Sequence, residues 1–154
     1  MYLDRMKKAR KLIAEIPDKK LRMSTWIEVD YLPDGAIPSV QVLKQEGCGT
    51  VGCIAGWVNI CFVDRQSESK SRENAKEYLG LTEREADALF YLTLPNFLLQ
   101  FNKTGLPDKL KRFDKQKPAK RKEKILEIFD YIIEYGFTWL PDYDRSTVVR
   151  QFGH

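Results

Sequence analysis

Seven residues, Gly47 to Cys53 (GCGTVGC), offer the groups best suited to chemistry in this 154-residue chain. Their three glycines permit a tight turn, which delivers the chain into the apolar segment CIAGWVNICF. A Gly-rich turn entering a helix presents unpaired backbone N–H groups and the positive end of the helix dipole, an arrangement that suits a phosphate or carboxylate. Gly47, Gly49, Thr50, Val51, Gly52 and Cys53 are therefore the candidate ligand-holding residues. Thr50 doubles as the expected N-cap, its hydroxyl accepting from the N–H of Gly52 or Cys53. The plain alternative is that these glycines serve only a tight turn and close packing of the helix behind it. Trp26 and Trp57 are candidates to stack on a base, and Lys111 and Arg112 to close over a phosphate. Cys48 and Cys53 are the candidate nucleophiles, Cys53 falling near the third helical position, where the dipole favours thiolate.

Each sharper reading of this loop meets an objection. Gly47-Cys48-Gly49-Thr50-Val51-Gly52 is literally G-x-G-x-x-G and resembles the dinucleotide fingerprint. However, Lys44, Gln45 and Glu46 separate it from any preceding strand, and the segments that follow read as helices, so no parallel sheet is available. CGTVGCIAGW is similar to the papain-type CGSCW string with two residues inserted. A thiol protease also needs a base, and the single histidine is His154, the last residue. Cys48, Cys53 and one distant histidine do not make a four-ligand zinc site, so neither metal nor cofactor is expected. The Cys48–Cys53 spacing is not the C-x-x-C of redox pairs.

A net charge of +4 is unevenly spread. From Lys103 to Lys124 ten lysines and arginines stand against Asp108, Asp114 and Glu123. A second basic run occupies Arg5 to Lys11. Such runs are either solvated faces or attractors of phosphate-bearing partners. Non-specific nucleic-acid affinity is compatible with them, but no DNA- or RNA-binding signature is present. The longest apolar run, Cys53 to Val63, is too short to span a bilayer. The charged N-terminus lacks an apolar signal core, and three cysteines are an odd number for a disulfide framework, so a cytoplasmic protein with reduced thiols is expected.

The elements that must position the loop read as a mainly α, single compact helical domain over 1–154. Leu3, Met6, Ala9, Leu12, Ile13 and Ile16 predict a helix over 3–16, which Pro17 ends. Residues 26–43 read either as a short β-hairpin around Asp34-Gly35 or as an extended segment, with Pro33 and Pro38 confining any strand to an edge. A central helix over 50–64, apolar most of the way round with Val51, Ile54, Ala55, Val58, Cys61 and Phe62 on one face, belongs in the core. Further helices are predicted over 71–79, 83–91, 95–101 and 118–135. Gly80 stands as a left-handed C-cap, Thr82-Glu83-Arg84-Glu85 as a capping box and Pro118 in a first helical turn. The tail 137–154 carries Trp139.

Met23-Ser24-Thr25-Trp26, then CGTVGCIAGW over 48–57, Leu79-Gly80-Leu81 and Ala88-Leu89-Phe90, resemble a functionally uncharacterised group of small proteins from bacteria and their phages. The resemblance covers roughly residues 21–135. It transfers no catalytic residue, but implies a phage or prophage setting in which small proteins act by binding. The leading expectation is a non-enzymatic binding protein that holds an anionic, nucleotide-like ligand, sequestering a host defence signal. One alternative is a thiol-dependent enzyme using Cys48 or Cys53. Another is a protein–protein inhibitor of a host enzyme, acting through the hairpin and basic loop.

Overall fold

Helical spacing of Met6, Ala9, Leu12 and Ile13 buries one face of Leu3–Glu15, which forms helix α1. Ile16 leaves it in an extended conformation, and Asp18–Lys20 follows as one 3₁₀ turn. The computed structural model describes residues 1–25, 27–29, 31–36, 38–44, 49–63, 70–93 and 113–140. Its remaining elements are β1 (Ile27–Glu28), α2 (Val40–Leu43), β2 (Val51–Gly52), α3 (Ile54–Val58), a π-helical turn (Asn59–Val63), α4 (Ser71–Leu79), α5 (Glu83–Phe90) and α6 (Pro118–Tyr135). The predicted helix over 95–101 and the tail beyond residue 140 lie outside the described residues.

The fold is mainly helical with one short antiparallel strand pair, as the periodicity predicts, but the pairing differs. Ile27 and Glu28 pair with Gly52 and Val51, not with the 40–42 segment. Val40–Leu43 is instead a single helical turn, because Ser39 caps it by accepting from the Val42 N–H at 3.3 Å. The central helix is also displaced. It starts at Ile54 rather than at residue 51, with Cys53 as N-cap in an extended conformation. Thr50 is not the cap. Strand pairing holds Val51 and Gly52 extended, and the Cys53 N–H is spent on the Thr25 carbonyl at 2.8 Å.

Every residue of α3 is buried, in keeping with its all-round apolar sequence. Past Val58 the helix widens into the π-helical turn, where the buried Asn59 amide reaches Ser71 Oγ at 3.4 Å and accepts from Asn74 at 2.9 Å. One consequence is that Phe62, expected on the inward face, is 37% exposed and stacks on Tyr78 at 5.3 Å.

Helix α1 packs against α6, whose buried residues are Arg121, Ile125, Ile128, Phe129 and Ile132, and α3 packs against α4 and α1. The buried apolar residues form one cluster, and its largest fully buried side chains are Trp57, Phe90, Phe113, Phe129 and Phe137. Arg10 grips Asp130 through two bonds of 2.7 and 3.1 Å between α1 and α6, a surface pair contributing at most about 1 kcal/mol. Local end signals hold as read. Gly80 is left-handed at φ +67°, the Thr82–Glu85 capping box is formed in both directions, and Pro118 opens α6.

Candidate functional site

A groove of about 610 Å³ opens between the Pro17–Lys20 turn, Gly49 and Val51, and Pro118 at the start of α6. Its first wall is a 3₁₀ turn because Pro17 stops α1 and the next N–H groups bond three residues back, Lys20 to Pro17 at 2.9 Å. That turn is fastened from several sides. Trp57 donates its indole N–H to the Lys20 carbonyl at 3.1 Å, Arg121 donates to the Leu21 carbonyl at 3.2 Å, and Lys122 donates to the Ile16 carbonyl at 2.7 Å. Arg22 N–H bonds the Gly52 carbonyl at 3.0 Å, which fixes the second wall to the first.

The third wall is the N-terminus of α6, an 18-residue helix with no side-chain cap at Lys117 and no acidic residue in its first turn. Lys120 and Arg121 complete that turn instead, and Lys122 follows them. Cations at the positive end of a helix dipole are unfavourable, by about 0.3–1 kcal/mol each near the surface. Arg121 and Lys122 are partly compensated. Arg121 is buried and donates to the carbonyls of Leu21, Asp114 and Gln116, and Lys122 also pairs with Asp18 at 3.4 Å. Burial pulls the Arg121 guanidinium below its ordinary value, against the attraction of Asp114. Lys120 remains exposed, as do Lys117 just before the helix and Lys19 on the 3₁₀ turn.

A carboxylate clip braces this corner. Asp114 accepts from the backbone N–H of Met23 at 2.7 Å and of Ser24 at 2.9 Å, so the residues before β1 are pinned to the chain entering α6. Such charge-assisted bonds are stronger than neutral ones.

Of the predicted ligand-holding loop, Gly49 and Val51 line the groove. Thr50 is fully buried, so its hydroxyl is not offered to solvent, and Gly52 is buried within the strand pair. Of the N–H donors expected at the head of α3, that of Cys53 is consumed by the fold, as described above. Trp57 is a core residue at 0% exposure and presents no face for stacking on a base. Lys20 lines the groove but turns its ammonium inward, onto the Leu43 carbonyl. Gly47, Cys48, Trp26, Lys111 and Arg112 lie outside the described residues.

Cys53 does not have the environment of an activated nucleophile. Burial pushes its thiol up to about 11, outweighing the Gly56 and Ala55 amides beside the sulfur, which favour the thiolate. Cys61, expected on the core-facing side of the central helix, is half-buried. Among the described residues no group of three or more His, Cys, Asp or Glu side chains is placed to hold a metal, and no helix is long and apolar enough to cross a membrane.

Lys19, Lys120 and Asp114 went unrecognised as contributors to this corner. Lys120 and Asp114 are both within the basic segment, where composition distinguishes neither from its neighbours. The sequence matches no protein-family model, and no curated protein or solved structure is significantly similar to it.

Proposed function

We propose that this protein is a non-enzymatic binder of a phosphate-bearing small molecule of nucleotide size, held in the groove between Lys19, Gly49 and Pro118. The observation that carries the reading is the uncapped N-terminus of α6, whose Pro118 lines that groove and whose next residues include Lys120, Arg121 and Lys122. A bound anion relieves the repulsion between these cations and the helix dipole. The groove volume falls within the range of about 300–1,000 Å³ that small ligands occupy. Exposed Lys19 and Lys120 supply ammonium groups, and Gly49 lets a ligand approach the backbone closely. The phosphate-holding role moves in this reading from the α3 N-terminus to that of α6. Capture of a host nucleotide signal, without turnover, is the role it assigns.

Native mass spectrometry of the purified protein and thermal-shift titration with ATP, GTP, NAD and cyclic dinucleotides test this directly. One of these ligands should raise the melting temperature, with an effect that weakens as salt rises. A Lys19→Glu/Lys120→Glu variant should bind that ligand at least about tenfold more weakly, the loss of roughly 1.4 kcal/mol. Binding indifferent to both lysines, or a complete absence of stabilisation across the panel, would sink the proposal.

A further inference from the structure

A second depression, separate from the groove, lies where α1 meets α2 and the π-helical turn. Its floor is apolar, made of Leu12, Val40 and Phe62, and its volume is about 210 Å³. Lys8 and Lys11 stand on its rim, one helical turn apart along α1. The third rim lysine, Lys44, is already neutralised by Glu15 at 2.6 Å. Lys8 and Lys11 are exposed and make no hydrogen bond or ion pair with any described residue. The Phe62 ring is held in place by its stacking on Tyr78, over which Arg5 packs at 4.6 Å.

From this arrangement we infer that the depression is a docking site for an acidic segment of a partner protein, which seats one apolar or aromatic side chain on Leu12, Val40 and Phe62 and sets flanking carboxylates on Lys8 and Lys11. Size selects the occupant. The volume falls below that of small-molecule pockets but suits a single anchoring side chain, the usual centre of a protein interface. Charge selects its surroundings, because Lys8 and Lys11, the latter held only loosely by the charge of Glu15, stand beside an apolar floor and complement carboxylates beside an apolar anchor. Val42 and Val63, on the same two elements as Val40 and Phe62, are also exposed.

The test is selection of a phage-displayed random 12-residue peptide library on the immobilised full-length protein. Enriched peptides should carry Asp or Glu on both sides of one large apolar residue. Their affinity should fall at least about tenfold for Lys8→Glu/Lys11→Glu and stay unchanged for Lys19→Glu, which separates this site from the groove. Phe62→Ser should weaken the same peptides, and a melting curve for each variant separates lost binding from lost folding. Bound peptide should also slow alkylation of Cys61, which lines the depression, in a Cys48→Ser background. Selection without the acidic-and-apolar pattern, or binders indifferent to the Lys8 and Lys11 reversals, would overturn the inference. So would protection of Cys61 by sodium octanoate and by none of the peptides, which would assign the depression to a small amphiphile.

Discussion

Trp57 and Lys20 are joined inside the core by a single bond, the indole N–H of one donating to the backbone carbonyl of the other at 3.1 Å. The bond ties the middle of α3 to the turn that walls the groove, so the packing of the core sets the groove's position. Trp57→Phe keeps an aromatic ring but removes the donor and part of the volume. The expected cost is about 1–3 kcal/mol, measured by urea denaturation, together with weaker ligand-induced stabilisation. A variant of unchanged stability would mean that this bond does not fix the turn.

Asp114 should matter more than its place in a run of basic residues suggests. Asp114→Ala removes the acceptor for the Met23 and Ser24 amides and is expected to cost about 1–3 kcal/mol. Amide exchange at Met23 and Ser24 should quicken in this variant before exchange in α1 does. Asp114→Asn keeps one acceptor oxygen and should lose less.

Gly80 combines a left-handed backbone with a close neighbour, since a Cβ there would stand 2.8 Å from the Tyr2 ring. Gly80→Ala is expected to destabilise by about 1–3 kcal/mol, from backbone strain and the collision together. Made in a Tyr2→Ala background, the same change should cost less, and the difference measures the steric part.

Cys53 makes the stability depend on alkaline pH. Below about pH 9 its thiol is protonated in both folded and unfolded chains, and the folded value near 11 lies above the unfolded value of 9.0. As pH rises through that interval, only the unfolded chain loses the proton, so folding stability falls. Cys53→Ala should flatten this part of the stability profile. In native protein carrying Cys48→Ser, iodoacetamide should label Cys61 well before Cys53, whose labelling should track unfolding. Rapid native labelling of Cys53 would reopen the thiol-enzyme reading.

How much of this was legible depends on the range of the signal. The Thr82–Glu85 box, the Gly80 cap and Pro118 at the head of α6 are written within a few neighbouring residues and read correctly. The Thr50 cap failed because a distant strand, Ile27–Glu28, claims Val51 and Gly52. Val40 and Val42 alternate like a strand, yet the Ser39 cap is the stronger local instruction. At the site, glycine spacing drew attention to Gly49, which lines the groove. It could not reveal that Thr50, Cys53 and Trp57 point into the core. Nor does any periodicity bring Lys19 and Pro118, almost a hundred residues apart in the chain, to one groove.

The π-helical turn at Asn59–Val63 has a consequence for the length of the chain itself. Each residue of an α-helix advances about 100° around the axis, so one residue more or fewer rotates everything beyond it by that angle. Phe62 faces outward because the widened turn accommodates a residue that regular α-helical phase has no room for. Deleting one codon between Asn59 and Cys61 would restore that phase and swing the Phe62 ring inward. The same deletion in the middle of α6 would scramble the core. Here it would tighten a helix and take the Phe62 ring out of the floor of the depression beside α1, with loss of the buried Ile60 that the same codon encodes, so a gene three nucleotides shorter would change one surface and one layer of the core together.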